Sequence, residues 1–385
     1  MNLFQTTSNK NVVRLVLFIL LMKFSGLYSQ ENQVSKHYPF VSLKYGYGNV
    51  IPTTDFVKGE NQLKKPISNY QFTTVKIGWQ NPGYKDWQKV YKGPVYGIGF
   101  YVADFFRPDE MGKPKAAFGF LGIPILRLEK ILFLTEFQYG MAWNWNHYDP
   151  DSNPENLAIG SPITVYLDIG LNASFHLNQY FDLSGGISFT HFSNGGFERP
   201  NRGVNLYSPH IEVKYFINGR PDLSSIQKPE RLNRTNELYF MLGYGDHQMV
   251  EHELDTNYFA VGGVGVFYTM QHSNAFRSGP GVDFNFWWAL TALEDGSHGK
   301  VGWDNLTIGL IYQPELIVGR LALTGGFGIY ASHKGYGNFN QTYQRLGARF
   351  HLTKNISLGV NVRAVNFMLA EFLEFNTGYR MNWDK

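Results

Sequence analysis

Two-residue alternation dominates the chain from residue 40 onward, and it persists for longer than a soluble strand requires. In residues 163–176, Ile163, Val165, Leu167, Ile169, Leu171, Ala173 and Phe175 share one parity. Thr164, Tyr166, Asp168, Gly170, Asn172, Ser174 and His176 share the other. Successive side chains on a strand point to opposite faces, so the segment has one apolar side and one polar side. Phe133, Phe137, Tyr139, Met141 and Trp143 repeat the pattern against Glu136 and Gln138, and Val41, Leu43, Tyr45 and Tyr47 repeat it against Ser42 and Lys44. Soluble strands average about five or six residues, whereas strands that cross a bilayer need about ten. No run beyond the N-terminus approaches the roughly 18 apolar residues of a membrane helix. Aromatic residues are 16% of the 385 and charged residues only 17%, with no Cys. That composition argues against disorder, and it excludes a disulfide scaffold, a thiol nucleophile and a thiolate metal site. In lipid only a closed barrel satisfies every backbone group of a sheet. The expectation is an all-β protein: an outer-membrane, antiparallel, up-and-down β-barrel of a Gram-negative bacterium.

The first residues read as an export signal. Lys10 and Arg14 precede the short apolar run Leu15–Met22, and Ser25, Gly26 and Ser29 supply small residues before a cut after Ser29. Residues 1–29 are thus expected to be a signal peptide. The formal charge of +3 resides in Lys10, Arg14 and Lys23, so the remaining chain carries none and offers no global field for nucleic acid. About eight alternating segments fall within residues 30–217, near 40–50, 70–80, 91–104, 115–126, 131–143, 162–176, 180–193 and 206–217. The polar stretch 218–236 reads as a periplasmic linker or long turn. About eight more segments occupy 237–385. Whether the halves make one large barrel or two small ones is open at this level.

The polar residues that interrupt the apolar rows are the candidates for chemistry. Phe181, Leu183, Gly185, Ile187 and Phe189 run along one face, and His191 and Ser193 continue it. With the N-terminus in the periplasm, this seventh segment ends at the cell surface. Asn205 shares the parity of Tyr207, Pro209, Ile211, Val213 and Tyr215 on the next segment. A Ser hydroxyl becomes a nucleophile when a His takes its proton, and the His needs a third group to fix its tautomer. Ser193, His191 and Asn205 meet that need, and Asn194 with the amides of Gly195 and Gly196 offers oxyanion donors. On spacing alone, a polar girdle where strands leave the membrane accounts for the same residues. His272-Ser273-Asn274 is read as ordinary rim, because adjacent residues face opposite sides.

The wider string His191-Phe-Ser-Asn-Gly-Gly-Phe-Glu-Arg-Pro-Asn-Arg-Gly-Val-Asn205 strongly resembles the active-site stretch of the outer-membrane lipid A 3-O-deacylases, the PagL family. That pattern is His-aromatic-Ser-Asn-small-Gly, then Pro-Asn-x-Gly, then a hydrophobic residue and an acid. The resemblance implies an eight-stranded barrel with the site on its outer surface. It implies Ser193 as nucleophile and His191 as base in hydrolysing the ester that holds the 3-position acyl chain of lipid A. It places Asn194, Gly196 and Asn201 in the loop, with oxyanion binding as the implied role. The implied partners are lipid A, lipopolysaccharide and membrane lipids, with no metal or organic cofactor. Where the family has a Glu, this chain has Asn205. Glu198 is a nearby acid at a spacing that does not match. A decayed or pore-forming barrel is the alternative reading.

The second half carries no equivalent site. Asn366 and Met368 stand where His-x-Ser would fall. Arg345, Arg349, Arg363 and Arg380 share the opposite, interior parity beside Glu374, and are expected to form a paired charge network.

Overall fold

The computed structural model describes residues 37–224, 226–227, 229–230, 235–248, 258–288, 302–332, 342–365 and 369–384. The expected signal peptide, residues 1–29, lies outside them, as do Asn366 and Met368.

Each alternating segment is a strand, and within each half every strand hydrogen-bonds to the next in antiparallel fashion. The first eight are β1 (Pro39–Ile51), β2 (Asn69–Trp79), β3 (Val95–Asp104), β4 (Gly112–Arg127), β5 (Ile131–Trp145), β6 (Ile163–His176), β7 (Phe181–Ser193) and β8 (Val204–Phe216). β8 returns to β1, from Phe40↔Phe216 to Ile51↔Asn205, so this sheet has no edge. The second set is β9 (Thr235–Gln248), β10 (Tyr258–Gln271), β11 (Phe276–Trp287), β12 (Leu306–Val318), β13 (Leu321–Ser332), β14 (Thr342–His351), β15 (Ile356–Val365) and β16 (Leu369–Asp384). β16 closes on β9, from Phe375↔Tyr244 to Asp384↔Thr235. The question left open by strand count is thereby answered: the protein is two closed eight-stranded barrels.

One strand is shorter than expected. The segment 91–104 enters the sheet only at Val95, because a one-turn helix at Asp86–Val90 is followed by Lys92 and Gly93 in left-handed conformations (φ 55° and 74°). Those angles turn the chain rather than extend it.

The faces sort as the pleat demands. Val41, Leu43, Tyr45 and Tyr47 of β1 point outward and are exposed, while Phe40, Ser42, Lys44 and Val50 are buried inside. An eight-stranded barrel is just wide enough for its own side chains to fill. In the first barrel Glu136 accepts from Lys44 and Lys76 at 3.0 and 2.8 Å, and Lys76 also reaches Glu212 at 3.0 Å. Gln138 donates to Glu136 at 2.7 Å, and Tyr166 donates to Gln138 at 2.7 Å. Nearer the end of β7 the filling becomes aromatic, with Phe192 against Tyr101, Trp145 and Tyr166, and Tyr101 against Tyr166.

The second barrel is filled by arginines and acids, as expected, although the partners differ from those expected. Only Arg345 among the four pairs with Glu374, at 3.0 Å, and it also reaches Asp283 at 3.3 Å. Arg349 pairs with Glu315 at 2.8 Å, Arg363 with Glu371 at 3.4 Å, and Arg380 with Glu237 at 3.3 Å. Arg277 joins Glu237 and Glu315. Strand stagger in a tilted barrel decides which inward residues share a level, and parity alone does not carry that information.

Burying these charges is tolerable only while each has its counter-charge. Glu136→Ala strips two buried lysines of their shared carboxylate and is expected to destabilise the protein by about 3–5 kcal/mol. Urea unfolding in detergent micelles, followed by heat-modifiable gel migration, measures this. An unchanged midpoint would show that the network is not needed.

Candidate active site

β7 ends in three residues with different fates. Phe192 points inward, fully buried, with its ring 4.9 Å from Trp145 in an edge-on arrangement and 5.4 Å from Tyr166. This anchor sets its neighbours: because Phe192 is inside, His191 and Ser193 must be outside. Both are half-buried at the end of the row that includes exposed Ile187 and Phe189. The ladder register then supplies the third residue. His191 lies directly opposite Asn205 on β8, and Asn205 in turn lies opposite Ile51 at the end of β1. Side chains directly opposite on adjacent strands are near neighbours.

Their contact is a hydrogen bond of 2.7 Å between His191 Nδ1 and Asn205 Oδ1. Its direction follows from the next group along. Thr53 Oγ1 donates to the Ile51 carbonyl at 3.5 Å, so it accepts from Asn205 Nδ2, 3.1 Å away. The Asn205 oxygen therefore faces the imidazole and can only accept. His191 carries its proton on Nδ1, which leaves the Nε2 lone pair unprotonated. Ser193 Oγ has no hydrogen-bond partner among the described residues.

Gly203 closes the group from the side. Its φ is +73°, and a Cβ built there would lie 3.1 Å from His191 Cε1 and 3.6 Å from Ser193 Cβ. The two side chains thus converge on a position that only glycine occupies without strain and crowding.

The connection between β7 and β8 holds itself together. The Asn194 main-chain N–H donates to Asn201 Oδ1 at 3.0 Å, and Asn194 Oδ1 accepts from the Gly196 N–H at 3.0 Å. The buried Asn194 amide donates to Ser161 Oγ at 3.2 Å and to the Glu198 carbonyl at 2.6 Å. Arg202 and Gly203 donate to the carbonyls of Leu157 and Ala158 at 3.2 and 2.9 Å, which seats the loop on the β5–β6 connection. Asn194, Gly196 and Asn201 are thus brought together, and the polar atoms of Asn194 and Gly196 are engaged within the loop. Glu198 contributes its main-chain carbonyl here. Burial raises the pKa of its carboxyl.

Thr53, Ser161 and Phe192 carry the arrangement without having been singled out in the sequence. Thr53 and Ser161 sit in connections remote in the chain, and no local pattern marks them. Phe192 was legible as the aromatic between His and Ser. In the second barrel, His272-Ser273-Asn274 forms the β10–β11 turn, with His272 Nε2 2.8 Å from Ser278 Oγ.

The family model "Lipid A 3-O-deacylase (PagL)" matches residues 73–214, and "Acyloxyacyl hydrolase, C-terminal domain" matches residues 236–383. A search of the curated proteins finds no match. Similar solved structures include the outer membrane protein Omp33 of Acinetobacter baumannii, at 7% identity over 90% of this chain and 99% of that one, with a TM-score of 0.18. An outer membrane channel from Pseudomonas putida F1 is 9% identical over 92% and 100% of the two chains, with a TM-score of 0.18. The toluene transporter TodX of P. putida is 6% identical over 92% and 91%, with a TM-score of 0.19. At such values these likenesses do not bear on the assignment. The two family matches together take in most of both barrels, and on them the chain belongs to the outer-membrane lipid A 3-O-deacylase (PagL) family.

Proposed function

We propose that the protein hydrolyses the ester holding an acyl chain at the 3-O position of lipid A, with Ser193 as nucleophile, His191 as general base and Asn205 as the group that fixes the imidazole. The observation that carries this reading is the 2.7 Å contact of His191 Nδ1 with Asn205 Oδ1 on the outer wall of the first barrel. A site on the outer wall at a strand end meets an amphiphile where its acyl chains join its sugar head. The exposed Ile187 and Phe189 below Ser193 offer the acyl chain an apolar track.

The chemistry follows from the tautomer. With Nδ1–H donated to Asn205, Nε2 takes the Ser193 proton as Oγ attacks the ester carbonyl. The Asn201 amide accepts from the main-chain N–H of Asn194, the residue after Ser193, and has no hydrogen bond from its nitrogen among the described residues, so it is the loop's donor for the oxyanion. Asn194 and Gly196 serve by holding Asn201 and the loop in place. The intermediate expels the sugar hydroxyl, which takes the proton back from Nε2. Water, activated by the same nitrogen, then releases the fatty acid and restores Ser193. Asn205 orients the imidazole as a carboxylate would, but it adds no charge to offset the imidazolium. The side chains filling both lumens argue against the pore-forming alternative.

Ser193→Ala and His191→Ala are each expected to abolish release of the fatty acid while the barrels still fold, since neither side chain fills the interior. Mass spectra of lipid A incubated with the purified proteins read the first effect, and heat-modifiable migration reads the second. Full activity in Ser193→Ala would sink the assignment.

Asn205→Asp is expected to raise turnover about tenfold, which requires only ~1.4 kcal/mol of added transition-state stabilisation. Thr53→Val frees the Asn205 amide to rotate and is expected to lower turnover roughly two- to tenfold, the worth of one hydrogen bond. Initial rates on lipid A micelles test both. If Asn205→Asp and the parent are equally inert, the barrel is a decayed enzyme.

A further inference from the structure

The loop that flanks Ser193 belongs to the first barrel but lies against the second. A Cβ built at Gly195 would sit 3.6 Å from both Leu373 Cδ1 and Val362 Cγ2 and 3.7 Å from Leu373 Cβ. At Gly196, where φ is +85°, it would meet the carbonyl oxygens of Ala370 and Glu371 at 2.8 Å each. The Phe197 ring is 5.9 Å from that of Tyr258 at the start of β10. Three consecutive residues of the loop therefore rest on outward-facing groups of β15, β16 and β10. Lower on the same β15 row Ile356 and Leu358 are exposed, whereas Val362 is half-buried where the loop reaches it.

The second barrel is shaped for this contact. Arg363 pairs with Phe372 and Ala364 with Ala370, so Glu371 is an extra residue, a β-bulge. A bulge disrupts the ladder locally and re-aims the backbone. Here the carbonyls of Ala370 and Glu371 both lie against Gly196. The bulge is held from inside by the buried Glu371 carboxylate, 3.4 Å from Arg363 Nε and 3.5 Å from Tyr330 Oη.

We propose that the second barrel is a positioning element for the reaction: the β16 bulge, with Val362 and Leu373, holds Gly195–Phe197 so that Ser193 and Asn201 keep their places on either side of the susceptible ester. This gives the second barrel a part in catalysis although none of its described residues is assigned a reacting group, and it rests on the hydrolase reading above. Gly195 and Gly196 are the positioning residues. Any side chain at Gly196 would push the loop off the bulge, and the left-handed backbone there disfavours one in any case.

The chain has no Cys, so an engineered pair is unambiguous. The 3.7 Å between a Cβ at Gly195 and Leu373 Cβ falls within the roughly 3.5–4.5 Å range of disulfides. The experiment uses full-length protein in detergent carrying Gly195→Cys and Leu373→Cys, with and without Val362→Ser to loosen the contact, and Gly195→Cys alone as the strain control. A copper–phenanthroline oxidant should close the bridge in folded protein, seen on a non-reducing gel. With Val362→Ser present, the reduced form should lose kcat on lipid A about tenfold with KM changed less than about twofold, and oxidation should restore it. A contact that only glues the barrels together predicts no redox-dependent kcat at constant folded fraction. Failure of the bridge to form, or equal kcat in both redox states of an active protein, overturns the proposal. Parent protein inert on lipid A overturns the hydrolase reading instead, and the two failures are thereby distinguished.

Discussion

The hydrogen-bond ladder between β7 and β8 is the constraint on which the site depends. Along a regular strand the side chains alternate, so a shift of one residue in pairing exchanges its two faces. Here the register pairs His191 with Asn205 and seats Phe192 inside the barrel. The slip that would turn His191 inward would also put Phe192 into lipid and strip Trp145 of its edge-on partner. The aromatic filling at this end of the barrel therefore protects the register, and the register protects the pairing of His191 with Asn205. Charge does the same work lower down, where Glu136 binds strands β1, β2 and β5 through Lys44 and Lys76.

Above the ladder the site changes character, from repeating geometry to particular contacts. Asn205 is oriented by Thr53, which belongs to the connection after β1, and the β7–β8 loop hangs on Ser161, Leu157 and Ala158 from the connection after β5. Side-chain amides serve as internal struts, Asn194 making contacts through both its main chain and its amide. Such loops have little apolar area with which to bury themselves, so fixed hydrogen bonds and packing against a neighbour must hold them. That neighbour includes the second barrel, whose interior is crossed by salt bridges while its outer wall meets the loop.

Some of this was determined by the sequence alone. Alternation over long segments dictates strands, the polar parity dictates which residues face the interior, and the requirement that no backbone group go unpaired in lipid dictates closure. The shared face of His191 and Ser193 follows from the same period. What alternation cannot carry is which residues meet across strands. Eight and eight closed separately, rather than sixteen together, because β8 pairs with β1 and β16 with β9, a choice made between residues more than a hundred apart. Arg363 met Asp283 and Glu371, and only Arg345 met Glu374, because stagger sets the levels of inward side chains. The orientation of the Asn205 amide by Thr53, the approach of Gly203 to His191 and Ser193 and the seat of the loop on β16 were likewise decided by tertiary structure. Each is a contact made across a turn or between strands and loops, and a local period holds no record of such meetings.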